Sequence, residues 1–405
     1  MEAGKLGKAV RMSRSNYVSS HLSRPRHQFT SYNYLSQKKT PSFTEAEEMG
    51  VPVPRRCERC KGCSRCSYQV EERSRQEEEE ENLLRENLTY DEEKKQCVAK
   101  YPVIGDVTKL RDNRFQCISV MKSVEKRLRK RKQFDIFDQQ FMEYVTRGVL
   151  GEVSEDEINQ WKISGGTVHY ISIHDVVKPD SVSTPVRLVT NSALKNCNTG
   201  PSINDMWPKG PNSLNNLYLV LVRFRCYEIG LVWDLSKAYN SILTTLNEFF
   251  TRLVVWQGKT FGFTCVAFGD QPASVLLELT KEVAADKGKE VDEMTALKLV
   301  RDSYVDDNLS GGSEEEVAQM QGTLEKLPDG KLKYNGTVSK ILELVGMTPK
   351  VIVRSGEEDD DAKKKLGDKV LGHTWDAQGD KFEFTLSVNL YHKRRGVKTG
   401  PDITK

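Results

Sequence analysis

Two adjacent carboxylates, Asp306 and Asp307, close the run Ser303-Tyr-Val-Asp-Asp307. Its aromatic and β-branched residues predict a short strand, and the acids predict a tight, exposed hairpin. Upstream, the apolar run Gly230-Leu-Val-Trp233 predicts a strand that stops on Asp234, with an aromatic, Tyr239, soon after. Adjacent acids repel unless a cation lies between them. The pattern therefore restricts the chain to folds that leave the pair in solvent or bring a third acid beside it. Three hard carboxylates select Mg²⁺ or Mn²⁺. Two such ions ~3.5–4 Å apart can activate a 3′-hydroxyl and stabilise a leaving pyrophosphate. An Asp-Asp pair by itself is most often a surface turn, and an Asp after an apolar strand is ordinary. Both together, in this order and with these flanks, point to phosphoryl chemistry, which needs positioning and charge neutralisation above all.

The surroundings predict an α+β fold, with helices on one face of a mainly antiparallel sheet. Strand runs are His169–Ile173, Arg187–Thr190, Leu217–Phe224 and Gly230–Trp233. Helical stretches are expected near 236–250, 272–287 and 291–301. Before them, apolar residues at helical spacing (Val120, Val124, Leu128, then Phe134, Phe137, Phe141, Tyr144) predict helix over about 115–150. That helix contains the basic block Lys126–Lys132, which reads as a solvated face, a phosphate-contacting stripe or a nuclear-import signal. The acidic run Glu77–Glu81 reads as a solvated helix or linker. Phe382, Phe384, Leu386 and Val388 alternate as a half-buried strand does, after a turn at Gln378-Gly379.

Across the 405 residues, 61 Lys and Arg meet 58 Asp and Glu, a net charge of +3. That balance excludes a histone-like or tail-dominated nucleic-acid binder and leaves room for local basic grooves. The longest clean apolar run, Leu217–Val222, is too short to span a bilayer, and the first residues lack a secretory apolar stretch. Four of nine cysteines, Cys57, Cys60, Cys63 and Cys66, stand in one C-x2-C-x2-C-x2-C cluster among arginines. A reduced or metal-bound intracellular setting suits them better than a disulfide framework. Thiolates beside cations bind soft or borderline metals. Zinc comes first, an iron–sulfur cluster second and unligated thiols third, although the usual zinc site spreads two C-x2-C units across a longer loop and an iron–sulfur run usually has a longer last spacing and a proline.

Tyr304-Val-Asp-Asp307 resembles the Y-x-D-D motif of reverse transcriptases, and Asp234 through Tyr239 resembles the D-x-x-x-x-Y/F element of the same palm. The polymerase of BEL/Pao-type long-terminal-repeat retrotransposons is similar over more of the chain. The shared strings are His174-Asp-Val-Val-Lys-Pro-Asp-Ser181, Pro185-Val-Arg-Leu-Val189, Ser202-Ile-Asn-Asp205, Lys209-Gly-Pro211, Leu221-Val-Arg-Phe-Arg225, Phe268-Gly-Asp-Gln-Pro-Ala-Ser274 and Val370-Leu-Gly-His-Thr-Trp-Asp376, in family order over about 50–405.

The resemblance implies a right-hand fold with fingers and palm, a ferredoxin-like antiparallel sheet and a thumb that is missing or incomplete. Its segments would be a disordered linker (1–50), a Cys-rich metal knuckle (51–70), a charged helical lead (71–160), fingers (161–230) and palm (231–350). A primer-grip-like hairpin at Leu371-Gly372 and a truncated thumb would follow over 351–405. The activity implied is RNA-directed DNA synthesis from a primer on an RNA or DNA template, using deoxynucleoside triphosphates and Mg²⁺ or Mn²⁺, with Zn²⁺ at the cysteine knuckle. Asp234, Asp306 and Asp307 would hold the catalytic metals. Tyr239 would lie under the sugar as a steric gate; a packed core aromatic is the plainer reading. Arg187 and Lys178 would clamp triphosphate oxygens, and Gly269 and Gln271 would pack on the nascent base pair. Lys331 and Lys333 lie where a proton donor to pyrophosphate is sometimes found.

Protease, RNase H and integrase, the other parts of the Pol polyprotein, have no counterpart here. The expected setting is a cytoplasmic particle or the nucleus, with no membrane and no secretion. The chain departs from the family at Asn191, where an acid is usual, in a shorter stretch between Ile242 and Phe268, and in polar Asn308 and Ser310-Gly-Gly312 after the acidic pair. A second expectation follows: a retrotransposon remnant that binds nucleic acid without extending it.

Overall fold

The computed structural model describes residues 74–110, 112–177, 186–195, 200–326 and 332–354, together with the backbone of three short strands, 9–13, 374–376 and 381–385. The expectations for the cysteine knuckle, Lys178, Lys331, the Gln378-Gly379 turn and the Leu371-Gly372 hairpin lie outside those residues.

The first of those strands is β1 (Ala9–Ser13). Helix α1 (Arg75–Glu86) opens on a capping box, in which the Ser74 hydroxyl and Glu77 exchange hydrogen bonds. Of its acidic run only Glu78 and Glu79 are exposed; Glu80 accepts the Lys209 and Gly210 amides, and Glu81 is buried. Strands β2 (Leu88–Asp91) and β3 (Gln96–Ala99) form a hairpin. The single helix expected over 115–150 is two, α2 (Arg114–Lys130) and α3 (Phe134–Thr146), broken where Lys132 takes a positive φ. Helix α2 buries Cys117, Met121, Val124 and Leu128 on one stripe. Phe134, Phe137 and Phe141 of α3 surround Trp256 at ring distances of 5.8, 5.1 and 5.6 Å. Much of the basic block on α2 is structural: Arg127 and Arg131 both pair with the buried carboxylate of Asp175, and Arg129 lies over the Phe134 ring.

Strand β4 (Leu150–Val153) and helix α4 (Glu155–Ile163) lead to the hairpin of β5 (Ser172–Val177) and β6 (Val186–Asn191). The run Leu217–Phe224, expected as a strand, is instead helix α5 (Leu217–Cys226). A short continuous apolar run fits either state. Asn216 decides it, because its side chain accepts from the Tyr218 and Leu219 amides as an N-cap. Strand β7 (Ile229–Leu235) follows. The helix expected near 236–250 is mostly absent. In its place stand one tight turn (Ala238–Ser241), strand β8 (Leu243–Thr244) and the short helix α6 (Leu246–Thr251), started by a Thr245–Glu248 capping box. Strands β9 (Leu253–Trp256) and β10 (Lys259–Phe263) meet at Gln257-Gly258, both at positive φ. The stretch between Ile242 and Phe268 thus contains a hairpin with a two-residue loop of the kind that matches strand twist.

Helix α7 (Ala273–Arg301) is interrupted at Asp292, whose non-helical backbone divides it close to where two helices were expected. The Asp292 carboxylate accepts the Thr295 amide at 2.5 Å and restarts the second half. Strands β11 (Ser303–Tyr304) and β12 (Asp307–Gly312) follow, then α8 (Glu314–Gln321), β13 (Leu324–Lys326), β14 (Leu332–Tyr334), α9 (Thr337–Glu343) and β15 (Pro349–Arg354). Strand β17 (Lys381–Thr385) pairs with β16 (Thr374–Asp376) on one side and with β1 on the other.

The fold is mixed helix and sheet, and its largest sheet is antiparallel in the order β11-β12-β7-β15. Both faces of the central strand are buried. Leu231, Trp233 and Leu235 join the main core with Ile352, while Val232 and its register partners Leu309 and Val353 are buried on the other side. Polar Asn308 and Ser310 have a use here. Asn308 donates to the last carbonyls of α7, at Lys298 and Leu299, and Ser310 donates to Asp302. Among the described residues no helix is long and apolar enough to cross a membrane.

Candidate active site

The strand register decides where the sequence-marked acids fall. Asp307, the first residue of β12, is the direct cross-strand partner of Asp234 near the end of β7. Directly opposed residues hold their Cβ atoms ~4.5–5.5 Å apart. Asp306 sits beside them at the tip of the β11–β12 hairpin, where its carbonyl accepts the Leu235 amide at 2.9 Å. The hairpin loop is only Val305-Asp306, since Tyr304 already pairs with Asp307. Val305 takes φ +58°, a left-handed conformation that is unusual for a β-branched residue. Asp306 is exposed, and Asp234 and Asp307 are partly so.

Sequence reasoning missed two lysines beside these acids. Lys350 of β15 places its Nζ 3.8 Å from Asp234 Oδ2. It lies where the β15–β7 register shifts between Pro349 and Ile352, and such an irregularity re-aims a side chain. Lys281 reaches the hairpin from beneath, on α7. Neither had a signal in the sequence: Lys350 reads as one polar residue in a strand, and α7 is buried nearly all round near Lys281, which blurs its helical stripe.

Tyr239 packs partly into the core, in edge contact with Phe268 at 5.9 Å between ring centroids. Burial raises its phenol, opposed by a hydrogen bond with Ser274. The loop 268–271 is fastened on both sides. The Thr190 hydroxyl donates to Phe268 O at 2.6 Å, Asn204 Nδ2 donates to Gly269 O at 3.0 Å, and the Gln271 amide donates to Asn204 Oδ1 at 3.0 Å. Gly269 has φ +123°, and a Cβ there would meet Thr190 O at 2.6 Å, so only glycine fits. The backbone of Arg187 stands on β6 opposite Val176, three residues before Thr190; its side chain lies outside the described residues. Lys333 is engaged elsewhere, 2.5 Å from Glu343.

Beneath the loop is a buried polar network that sequence reading also missed. The Asp270 carboxylate accepts from Arg252 Nη1 at 2.7 Å, the Ser192 hydroxyl at 2.8 Å and the Tyr101 hydroxyl at 2.9 Å. Arg252 spends its other donors on Glu248 O, Cys265 O, Phe263 O and the Thr244 hydroxyl. Both charges are fully buried.

The donor chemistry of Asp234, Asp306 and Asp307 fits a hard divalent cation. Their strands supply adjacency, but among the described residues no three His, Cys, Asp or Glu side chains are gathered closely enough to ligate one ion.

No family model and no curated protein matches the chain. Solved structures share part of it. Foamy viral protease-reverse transcriptase in complex with RNA/DNA hybrid is similar at 16% identity and a TM-score of 0.36, over 67% of this chain and 32% of that one. The same viral protein in complex with double-stranded DNA gives 17% and 0.35, over 51% and 28%. The native Prototype Foamy Virus protein gives 18% and 0.32, over 51% and 22%. The chain thus spans a third or less of the length of these structures.

Proposed function

We propose that this chain is the polymerase core of a reverse transcriptase of the BEL/Pao retrotransposon type, an RNA-directed DNA polymerase built as fingers and palm. One observation carries the reading: β12 sets Asp307 opposite Asp234, with Asp306 at the hairpin tip beside them. Two acidic motifs far apart in sequence thereby share one strand end. Asp234, Asp306 and Asp307 would hold Mg²⁺ or Mn²⁺; when bound, these ions would lower the cost of deprotonating a primer 3′-hydroxyl and neutralise pyrophosphate. Tyr239 would floor the sugar of the incoming nucleotide. The rigid loop bearing Gly269 and Gln271 would support the nascent base pair, and β6, tied to that loop through Thr190, would bring Arg187 and, from the adjoining segment, Lys178 to the triphosphate. The partners are then a primed RNA or DNA template and deoxynucleoside triphosphates. The cysteine knuckle at Cys57, Cys60, Cys63 and Cys66 is a zinc site in this reading.

A second reading is favoured by Lys350, whose ammonium stands by Asp234 where a divalent ion would have to enter. It makes the chain a nucleic-acid-binding remnant that no longer extends a primer. Primer extension on an RNA template, in Mg²⁺ and then Mn²⁺, separates the two. The polymerase reading expects extension that Asp306→Asn lowers by roughly 10³-fold, since several kcal/mol of charge stabilisation is lost at 1.36 kcal/mol per factor of ten. Template binding that falls steeply with salt, without extension in either metal, would instead establish the remnant.

A further inference from the structure

Lys281 is the least expected charge in the described core. It ends the run Val275–Lys281 on α7, in which every residue is buried, and its own side chain is 1% exposed. Its ammonium donates to the Val305 carbonyl at 2.9 Å and to the Ser303 hydroxyl at 2.9 Å, and it pairs with Glu278 Oε2 at 2.8 Å. These three acceptors use all three N–H groups of a lysine. Burial pulls Lys281 down and pushes Glu278 up, each opposed mainly by the other's charge, and the second Glu278 oxygen is buried with no hydrogen-bond partner. A methionine would fill this position at no such cost. The arrangement therefore needs a reason beyond packing.

The acceptors supply one. Ser303 begins the strand that leads into the acidic hairpin, and Val305 is its strained residue, at φ +58°. Strain of this kind persists only where surroundings over-determine it. The next carbonyl, on Asp306, is fixed from the opposite side by the Leu235 amide. We propose that Lys281 is a positioning residue, clamping the Val305 carbonyl so that the hairpin tip keeps the turn in which Asp307 stands opposite Asp234 and Asp306 beside it. Its catalytic consequence rests on the polymerase reading; the clamp itself does not.

Two variants test it: Lys281→Met, and the double variant Glu278→Gln with Lys281→Met, which leaves no uncompensated buried acid. Hydrogen exchange reads the clamp directly. The Leu235 amide and the 303–308 segment should exchange about tenfold faster in both variants, with the β9–β10 hairpin unchanged, as expected for a local opening. In primer extension, kcat per folded molecule should fall roughly 100-fold, the scale of a 1 Å misplacement, while KM for the deoxynucleotide stays within about threefold. Unchanged exchange at Leu235 overturns the clamp. A full return of kcat per folded molecule in the double variant overturns the positioning role and leaves a packing residue. If the wild type extends no primer, the polymerase reading falls, and the exchange measurement alone decides whether Lys281 holds the turn.

Discussion

Asp302 and Asp306 are close in sequence and opposite in circumstance. Asp302 is fully buried and held by Arg223, Arg301, the Tyr227 hydroxyl and the Ser310 hydroxyl. Asp270 is treated the same way by Arg252, Ser192 and Tyr101. Asp306 is exposed, and Asp234 and Asp307 keep part of their surface in solvent. Among the described residues, two lysines stand near this second group, one under the hairpin backbone and one half-exposed at its side. An acid that serves the fold is buried against a guanidinium whose planar fork matches it. The proposed role of Asp234, Asp306 and Asp307 as ligands of an exchangeable cation requires them to stay reachable.

The widest gap between the regions should appear in stability. Arg252→Met leaves Asp270 charged and buried, and breaking such a pair costs about 3–5 kcal/mol. Asp306→Asn, on an exposed tip, should cost less than about 0.5 kcal/mol. Urea unfolding of the two variants measures both. Equal losses would mean that the hairpin acid is as structural as the buried one, and the distinction drawn here would go.

A smaller effect concerns pH, and it acts through the interior. Burial lowers His169 to about 4, and its Nδ1 is buried without a partner. The folded state thus resists a proton that the unfolded chain accepts near 6.5. The contribution of His169 is intact above about pH 6.5 and is lost as pH falls toward 4. At 1.36 kcal/mol per unit this reaches about 3 kcal/mol. On going from pH 7 to pH 4, the wild type should lose up to that much more stability than His169→Gln. Parallel losses in the two proteins would show that some other group drives acid sensitivity.

How much of this was legible in sequence follows from which forces are local. Strand β7 and the β11–β12 hairpin were readable because short apolar, aromatic and β-branched runs with their punctuation are short-range signals, and α7 was readable as two helices near its break at Asp292. The run Leu217–Phe224 misled because its composition suits a strand while its cap, Asn216, starts a helix. The stretch 236–250 misled because a positive-φ turn at Lys237 and a capping box at Thr245 divide what looked continuous. In the candidate site, the acids stood out by type and spacing. Lys281, Lys350 and the Arg252–Asp270 pair did not, since only tertiary contacts join residues separated by 18 to 116 positions or set them inside the core. The basic block on α2 shows the converse: a stripe that reads as a phosphate contact spends Arg127 and Arg131 on Asp175.

The smallest effect probes the border between the two regions, at Lys350. Its side chain is half-exposed, 3.8 Å from Asp234, so its contribution to stability should stay within the ~0–1 kcal/mol of a surface pair. Its effect on a divalent ion should be easier to see. A unit charge at ~4 Å in water-like surroundings is worth ~1 kcal/mol, and the arriving ion has to displace or share that position. Lys350→Met should therefore bind Mn²⁺ about fivefold more tightly in a spin-resonance titration, with its urea midpoint nearly unchanged, and Asp306→Asn should bind it more weakly. If Lys350→Met weakens Mn²⁺ binding, the lysine helps to assemble the acids and does not compete for them; it would then belong with the buried cations that hold carboxylates in place.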